Sequence, residues 1–523
     1  MPTSVTAAAV LSALVMGGAG AGAAGPAPLT KKERAGRVLY HEGRSPSGGA
    51  VNALVAGTSL SAEQVTCAGC HGDDGLGRPE GGVTPTPITW GDLTKPWGRT
   101  LDSGRQHPPY DDRTLARAVT DGVDSAGNPL QAAMPRYSMS RADTEALVAY
   151  MKRLGNEPVP GVGHEEARIG TVVPAKGPFA ELGRAIRGTL DAWVAETNAA
   201  GGIHGRRVAL HVAAYDPDRE GGLEAAKALL ARKDLLALVS GFTPAVEAEL
   251  ADLAEKQGVP LVGPFTPWPA GEDAGRARVF YLLGGPREQA RVLAAHALRE
   301  GAAGAPVTVL HVDDVRHAEP ARTAAERLRA GGGRPELVPY ARGRLDVAAV
   351  ARIQEKGSEW VLFVGEDPDL SDFLRGAAAR EWTPRVLACG SLSGRAALTA
   401  PNAFQGKVVL AMPNAPADET PEGRAALERA ARRSGSGERF RSARASAWAA
   451  AQVLGEGMRR AGRAVSRERL ASSLEALSGF ETGLLPPLSY GPVRRVGAAG
   501  AWLVTADVEA QAFRPMGGFT PLD

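Results

Sequence analysis

Cysteine is scarce, with three residues in 523. Two of them, Cys67 and Cys70, stand together, and Cys389 is far away. Once the first two are used jointly no intrachain disulfide is left, so export cannot be argued from disulfides. Net charge is nearly balanced at +2, which implies no nucleic-acid footprint. Lysine is sparse beside arginine while alanine, glycine and proline abound, a coding bias and not a functional signal. Beyond the N-terminal segment no stretch is long and apolar enough to cross a membrane. There is no nucleophile elbow, no G-x-G-x-x-G opening a helix after a strand, no P-loop and no H-E-x-x-H, and the nine histidines form no metal-ligating spacing. These absences favour a binding or electron-carrying protein over an enzyme.

What is present points to several domains. A chain of 523 residues exceeds one ordinary core, and 44% apolar with 23% charged residues is a globular composition. Val5 to Met16 is apolar and is followed by small residues through Ala24, which reads as a secretory signal peptide over residues 1–24 without a basic start.

Cys67-Ala68-Gly69-Cys70-His71 is a C-x-x-C-H run, the attachment signature of a c-type haem. Two residues between the thiols place both sulfurs on one side of a helical turn, and the adjacent imidazole reaches the iron. A zinc half-knuckle or a redox cysteine pair is the competing reading, but zinc needs two more Cys or His ligands at matching spacing. One covalent haem c, held by Cys67 and Cys70 with His71 as proximal ligand, is therefore expected. Haem attachment to such a run takes place outside the cytoplasm, which supports a periplasmic location independently.

Around this run lie a helix from Lys31 to His41, an amphipathic stretch from Ser61 to Val65, a Pro/Gly/Trp-rich loop from Ile88 to Pro109, a helix from Asp112 to Gly122, and a closing helix from Ser140 to Leu154. Trp90 and Trp97 read as packing residues. The order resembles class I cytochromes c. It is carried by Gly36-Arg37-Val38-Leu39-Tyr40, by Cys67-Ala68-Gly69-Cys70-His71-Gly72, by the Met134-Pro135 pair and by Leu147, Tyr150, Met151 and Leu154. The resemblance covers about residues 30–155 and implies an all-α domain with Met134 as the distal iron ligand. Met139, His107 and His41 are the rivals. Iron held from both sides leaves no open position, which argues electron transfer and against oxygen chemistry.

Residues 156–165 read as a linker, rich in Pro and Gly at their start. Beyond it short apolar strands alternate with helices in two successive runs, the pattern of parallel sheets covered on both faces by helices. Residues 166–523 are similar to the leucine/isoleucine/valine-binding family of periplasmic solute-binding proteins of ABC transporters. The residues carrying this are Arg187-Gly188, Asp191-Ala192-Trp193, Asn198 to Arg207 with Gly201-Gly202, Tyr215-Asp216-Pro217, Gly258 to Pro264 and Val307 to Asp313. The resemblance implies a multidomain chain: a cytochrome c domain, then a two-lobed α/β type I periplasmic binding fold. Crossovers are expected near Gly284, near Met412 and after Gly479. Lobe 1 would then span about 166–284 and 413–479, and lobe 2 about 285–412 and 480–523.

The same resemblance implies a ligand cleft. Its first-lobe loops would be Gly241 to Ala245 and Pro264 to Pro267, with Thr243 and Thr266 supplying hydroxyls, Ala245 at a helix N-terminus, and Phe265 adding bulk. In the second lobe the aromatic hinge position falls on His317, a second aromatic position near Glu366-Asp367, and the ammonium-binding acid near Ser391. Pro244 and Ser391 depart from the family pattern, so ordinary branched-chain amino acid binding is in doubt, and Glu366 or Asp367 is available to pair with a cation. The expected partners are a periplasmic dehydrogenase or another cytochrome, a small organic solute, and an ABC permease, with no nucleic acid.

Overall fold

The computed structural model describes residues 29–77, 85–96, 98–100, 104, 106–155, 159–216, 219–244, 246–270, 275–434 and 439–522. The proposed signal peptide, Trp97, Ala245 and part of the linker lie outside the described residues.

The first domain is built on two crossing helices, Lys31–Glu42 and Arg141–Met151. The first begins at a reciprocal cap between Thr30 and Glu33, which satisfies two amide groups that the helix cannot satisfy itself. Gly36 is the contact point: a Cβ there would lie 2.0 Å from the Ala146 carbonyl oxygen. Leu39 and Tyr40 on one helix and Leu147, Tyr150 and Met151 on the other then close one apolar cluster, with Leu115 and Val119 from the helix Asp112–Asp121. The helices are joined by a small antiparallel sheet in which Asn52–Val55 pairs with Thr58–Ser61 and with Arg136–Ser138. The stretch read as a loop from Ile88 to Pro109 holds a short helix, Trp90–Leu93, and a two-residue strand pair, Arg99–Thr100 with Gln106–His107.

The remainder forms two lobes. The first contains a six-stranded parallel sheet in the order Val496–Ala498, Val279–Leu283, Leu261–Val262, Ala237–Val239, Glu166–Pro174 and Arg207–Tyr215. Helices Ala180–Ala199, Pro421–Ser434 and Arg441–Ala461 pack on it. The last is buried along most of its length through Ala443, Ala447 and Ala449 to Ala451, small residues with high helix propensity that permit close approach.

The second lobe has a seven-stranded sheet in the order Arg334–Tyr340, Pro306–Val312, Trp360–Val364, Arg385–Cys389, Val408–Met412, Gly500–Asp507 and Ala512–Pro521. The first five are parallel, and the last two run antiparallel as a hairpin edge. Neither the strand Ala512–Pro521 nor the helix Gly390–Leu398 has a clear signal in the sequence pattern.

The chain passes between lobes at Gly284 and after Met412, and for a third time at residue 499, between Ala498 and Gly500. The third crossover expected after Gly479 is thus displaced. Residues 480–498 belong with the first lobe, because Leu484, Leu485, Leu488 and Tyr490 fill its core and Val496 pairs with Tyr281. Among the described residues no helix is long and apolar enough to cross a membrane.

Candidate functional site

Two sites are assembled by this architecture. The first is the helical turn Cys67–His71. Thr66 caps it by accepting the Gly69 N–H at 3.1 Å. Two buried tyrosines hold its ends: Tyr137 donates to the Val65 carbonyl at 2.7 Å, and Tyr40 donates to the Gly72 carbonyl at 2.7 Å. Cys67 and Ala68 pack against the domain core. Burial pushes the Cys67 thiol up to about 11, so it is a neutral thiol at physiological pH.

His71 is 7% exposed, and its Nδ1 lies 3.2 Å from the Thr86 carbonyl oxygen. A carbonyl only accepts, so the proton sits on Nδ1 and Nε2 carries the lone pair. Burial also draws the imidazole below its ordinary pKa, with the Thr86 contact opposing it, and so keeps the ring neutral. A thiol pair on one turn beside a neutral, oriented imidazole is the donor set a covalent haem requires.

Met134 is half-buried in the loop that precedes the strand Arg136–Ser138. Its N–H donates to Gln131 at 3.0 Å and its carbonyl accepts from the Arg136 guanidinium at 3.0 Å, so the loop backbone is pinned on both sides. Met139 lies beyond the strand, against the apolar cluster. His41 is engaged at both nitrogens, by the Tyr150 hydroxyl at 2.8 Å and by Asp73 at 3.2 Å. His107 directs Nδ1 to the Pro108 carbonyl at 2.9 Å.

The second site lies where the two lobes face each other. Thr243, Phe265 and Thr266 follow the strands Ala237–Val239 and Leu261–Val262, and His317, Glu366 and Ser391 follow strands of the second sheet. All therefore sit at the carboxyl ends of parallel strands, where open α/β sheets present their loops and helix N-termini. Thr243, Phe265 and Thr266 do come together, around a cavity of about 180 Å³ that Glu247, Trp268, Tyr281 and Arg316 also line. The helix expected from Ala245 begins at Glu247 and has no side-chain cap.

The second-lobe residues fare differently. His317 is 2% exposed, with Nδ1 2.8 Å from Asp314 Oδ1. Its Nε2 is 3.2 Å from Glu366 Oε1 but off the hydrogen-bonding direction. Arg342 pairs with Glu366 and, at 3.3 Å, with Asp314. Glu366 thus meets its cation within its own lobe. Asp367 is spent on the Ala396 N–H at 2.8 Å. Ser391 exchanges hydrogen bonds with the fully buried Gln289 at 3.0 and 3.1 Å. Trp268 reaches from the first lobe and sets its ring edge-on to His317, centroids 4.9 Å apart. Glu247 and Trp268 were not singled out from the sequence, although Glu247 lies two residues past the expected helix start.

Comparison with known proteins follows this division. The family described as "Periplasmic binding protein" matches residues 166–511, and the family "Cytochrome c" matches residues 55–155. The chain belongs to the periplasmic binding protein family and carries an N-terminal cytochrome c domain, a type of domain that implies covalent haem c. Similar solved structures share the two-lobed fold. A putative branched-chain amino acid ABC transporter protein from Rhodospirillum rubrum is 20% identical, with TM-score 0.55 over 67% of this chain and 99% of that one. A branched-chain amino acid ABC transporter protein from Thermus thermophilus with bound valine is 17% identical, with TM-score 0.55 over 69% and 98%. A fatty acid ABC transporter substrate-binding protein from Thermomonospora curvata is 14% identical, with TM-score 0.54 over 70% and 95%. No curated protein sequence matches.

Proposed function

We propose that the chain is an exported one-haem electron-transfer protein whose second module receives a small organic solute. Cys67 and Cys70 would form the two thioethers, His71 the proximal bond through Nε2, and Met134 the distal bond. The haem, when bound, supplies one-electron transfer, and a methionine ligand favours the reduced state. What this chain's own residues do is hold the site: Thr86 orients His71, and Tyr40 and Tyr137 brace the turn from both ends. The observation that carries the reading is the tethering turn itself, where a buried imidazole turns its Nδ1 proton to the Thr86 carbonyl and keeps the lone pair on Nε2.

The solute-receptor half rests on the two-lobed fold and on the cavity at Thr243 and Thr266. The solved neighbours include proteins titled for branched-chain amino acids and for a fatty acid, so the fold alone does not choose the solute. A second reading is a receptor that hands its solute to an ABC permease with the haem domain as an accessory, and the same neighbours favour it. A periplasmic dehydrogenase or another cytochrome is the expected partner under the first reading, and a permease under the second.

The test is production in a host with c-type cytochrome maturation, followed by intact-mass and pyridine haemochrome measurement. One added haem mass and a two-thioether spectrum are expected. Colourless protein without added mass would end the electron-transfer reading. Mass spectrometry of co-purified small molecules tests the receptor reading on its own.

A further inference from the structure

The first-lobe cavity contains a carboxylate. Glu247 opens the helix Glu247–Lys256 and lines the space together with Thr243, Phe265, Thr266 and Tyr281. Its Oε2 is shut off from solvent and has no hydrogen-bond partner. Among the described residues it forms no ion pair, and of the two arginines that line the cavity one is engaged elsewhere. Arg276 binds Asp252 at 2.9 Å and the Ala248 carbonyl at 3.3 Å. Arg316 stands exposed on the second-lobe helix and attracts Glu247 from the rim, while Glu249 on the same helix repels it. The Thr266 hydroxyl serves Glu247 and accepts the Trp268 N–H at 2.8 Å.

A buried carboxylate short of donors is costly, and a cation that reaches it removes the cost. The walls suit the same ligand, since Phe265, Trp268 and Tyr281 line the cavity and aromatic rings attract an organic cation. We infer that the cleft takes a small organic cation of the alkylammonium class, with its charged head on Glu247 and its apolar body on the aromatic wall. This inference rests on reading the second module as a solute receptor.

One consequence concerns protons. Burial holds Glu247 up at about 7, with the Thr266 hydroxyl and Arg316 opposing burial and Glu249 adding to it. Near neutral pH the folded protein therefore carries a proton on Glu247 much of the time. An entering ammonium displaces that proton to solvent, so affinity rises by about tenfold between pH 6 and pH 8.

The experiment uses the full-length haem-loaded protein with isopentylammonium, isovalerate and leucine as probes, by thermal shift and by calorimetry in two buffers of different ionisation heat. Isopentylammonium should raise the melting temperature, bind more tightly at pH 8 than at pH 6, and release a proton. Glu247→Gln should lose most of that binding, and Phe265→Leu should weaken it. Proton release is read on the unaltered protein, so the outcome does not depend on the variants folding. Binding of leucine or isovalerate without isopentylammonium overturns the cation assignment and leaves the receptor reading intact. Silence from all three probes overturns the assignment, and the co-purified-solute measurement then decides the receptor reading separately.

Discussion

Arg469 Nε lies 3.0 Å from Asp74 Oδ2, and the two side chains are only 19% and 17% exposed. Asp74 is three residues past His71, and Arg469 is on the helix Arg467–Glu475 of the first lobe. The ion pair therefore ties the segment after the haem-binding turn to the receptor module. The linker adds to the tie, because a Cβ at Gly161 would lie 2.0 Å from the Leu236 amide nitrogen and the Gly161 carbonyl accepts the Arg168 N–H at 2.7 Å.

Removing one partner of a largely buried pair leaves the other uncompensated, at a cost of about 2 kcal/mol where some solvent reaches it. Arg469→Met should accordingly speed limited proteolysis within residues 155–165 severalfold, with the visible spectrum unchanged. Equal cleavage rates in the two proteins would show that the ion pair does not hold the domains together.

The distal ligand is tested by two methionine variants. Met134→Ala should abolish the methionine–iron charge-transfer band and lower the reduction potential, since the soft ligand that favours reduced iron is gone. Met139→Ala should retain the band. The reverse pattern reassigns the ligand to Met139.

Gly36→Ala should destabilise the haem domain by about 3 kcal/mol, because the new methyl group meets the Ala146 backbone and the helices must separate. The measurement is urea unfolding followed at the haem absorbance. A midpoint equal to that of the unaltered protein would mean that the crossing relaxes freely.

Glu247 makes the receptor module's stability depend on pH. Its folded pKa is raised from 4.5 to about 7 by burial, so between those values the folded state holds more protons than the unfolded state. Its favourable contribution is whole below pH 4.5 and is lost as pH rises through 7, a change of about 2 kcal/mol once partial solvent access is allowed for. Glu247→Gln should therefore gain stability relative to the unaltered protein by about that amount on going from pH 5 to pH 8, read from urea unfolding by tryptophan fluorescence. A pH-independent difference would place Glu247 in water.

The alternation of strands and helices beyond the linker is legible in the sequence, since each strand follows a local apolar run. Gly390–Leu398 was missed because Gly390, Ser391 and Gly394 carry little helical periodicity, and packing on the second sheet makes it a helix. The crossover at residue 499 was misplaced because Gly479 looks like a break, whereas membership of a sheet depends on which strand is the neighbour.

By itself the sequence determined the haem-tethering run, the alternation of strands and helices, and the division into two modules, because thiol spacing and apolar period are properties of neighbours in the chain. Only the tertiary structure decided that Glu247 stands in the cavity, that Trp268 meets His317, that Glu366 is already taken by Arg342, and that Asp74 reaches Arg469. Those pairings join residues up to 395 positions apart. They arise from how whole elements pack, which no local pattern encodes.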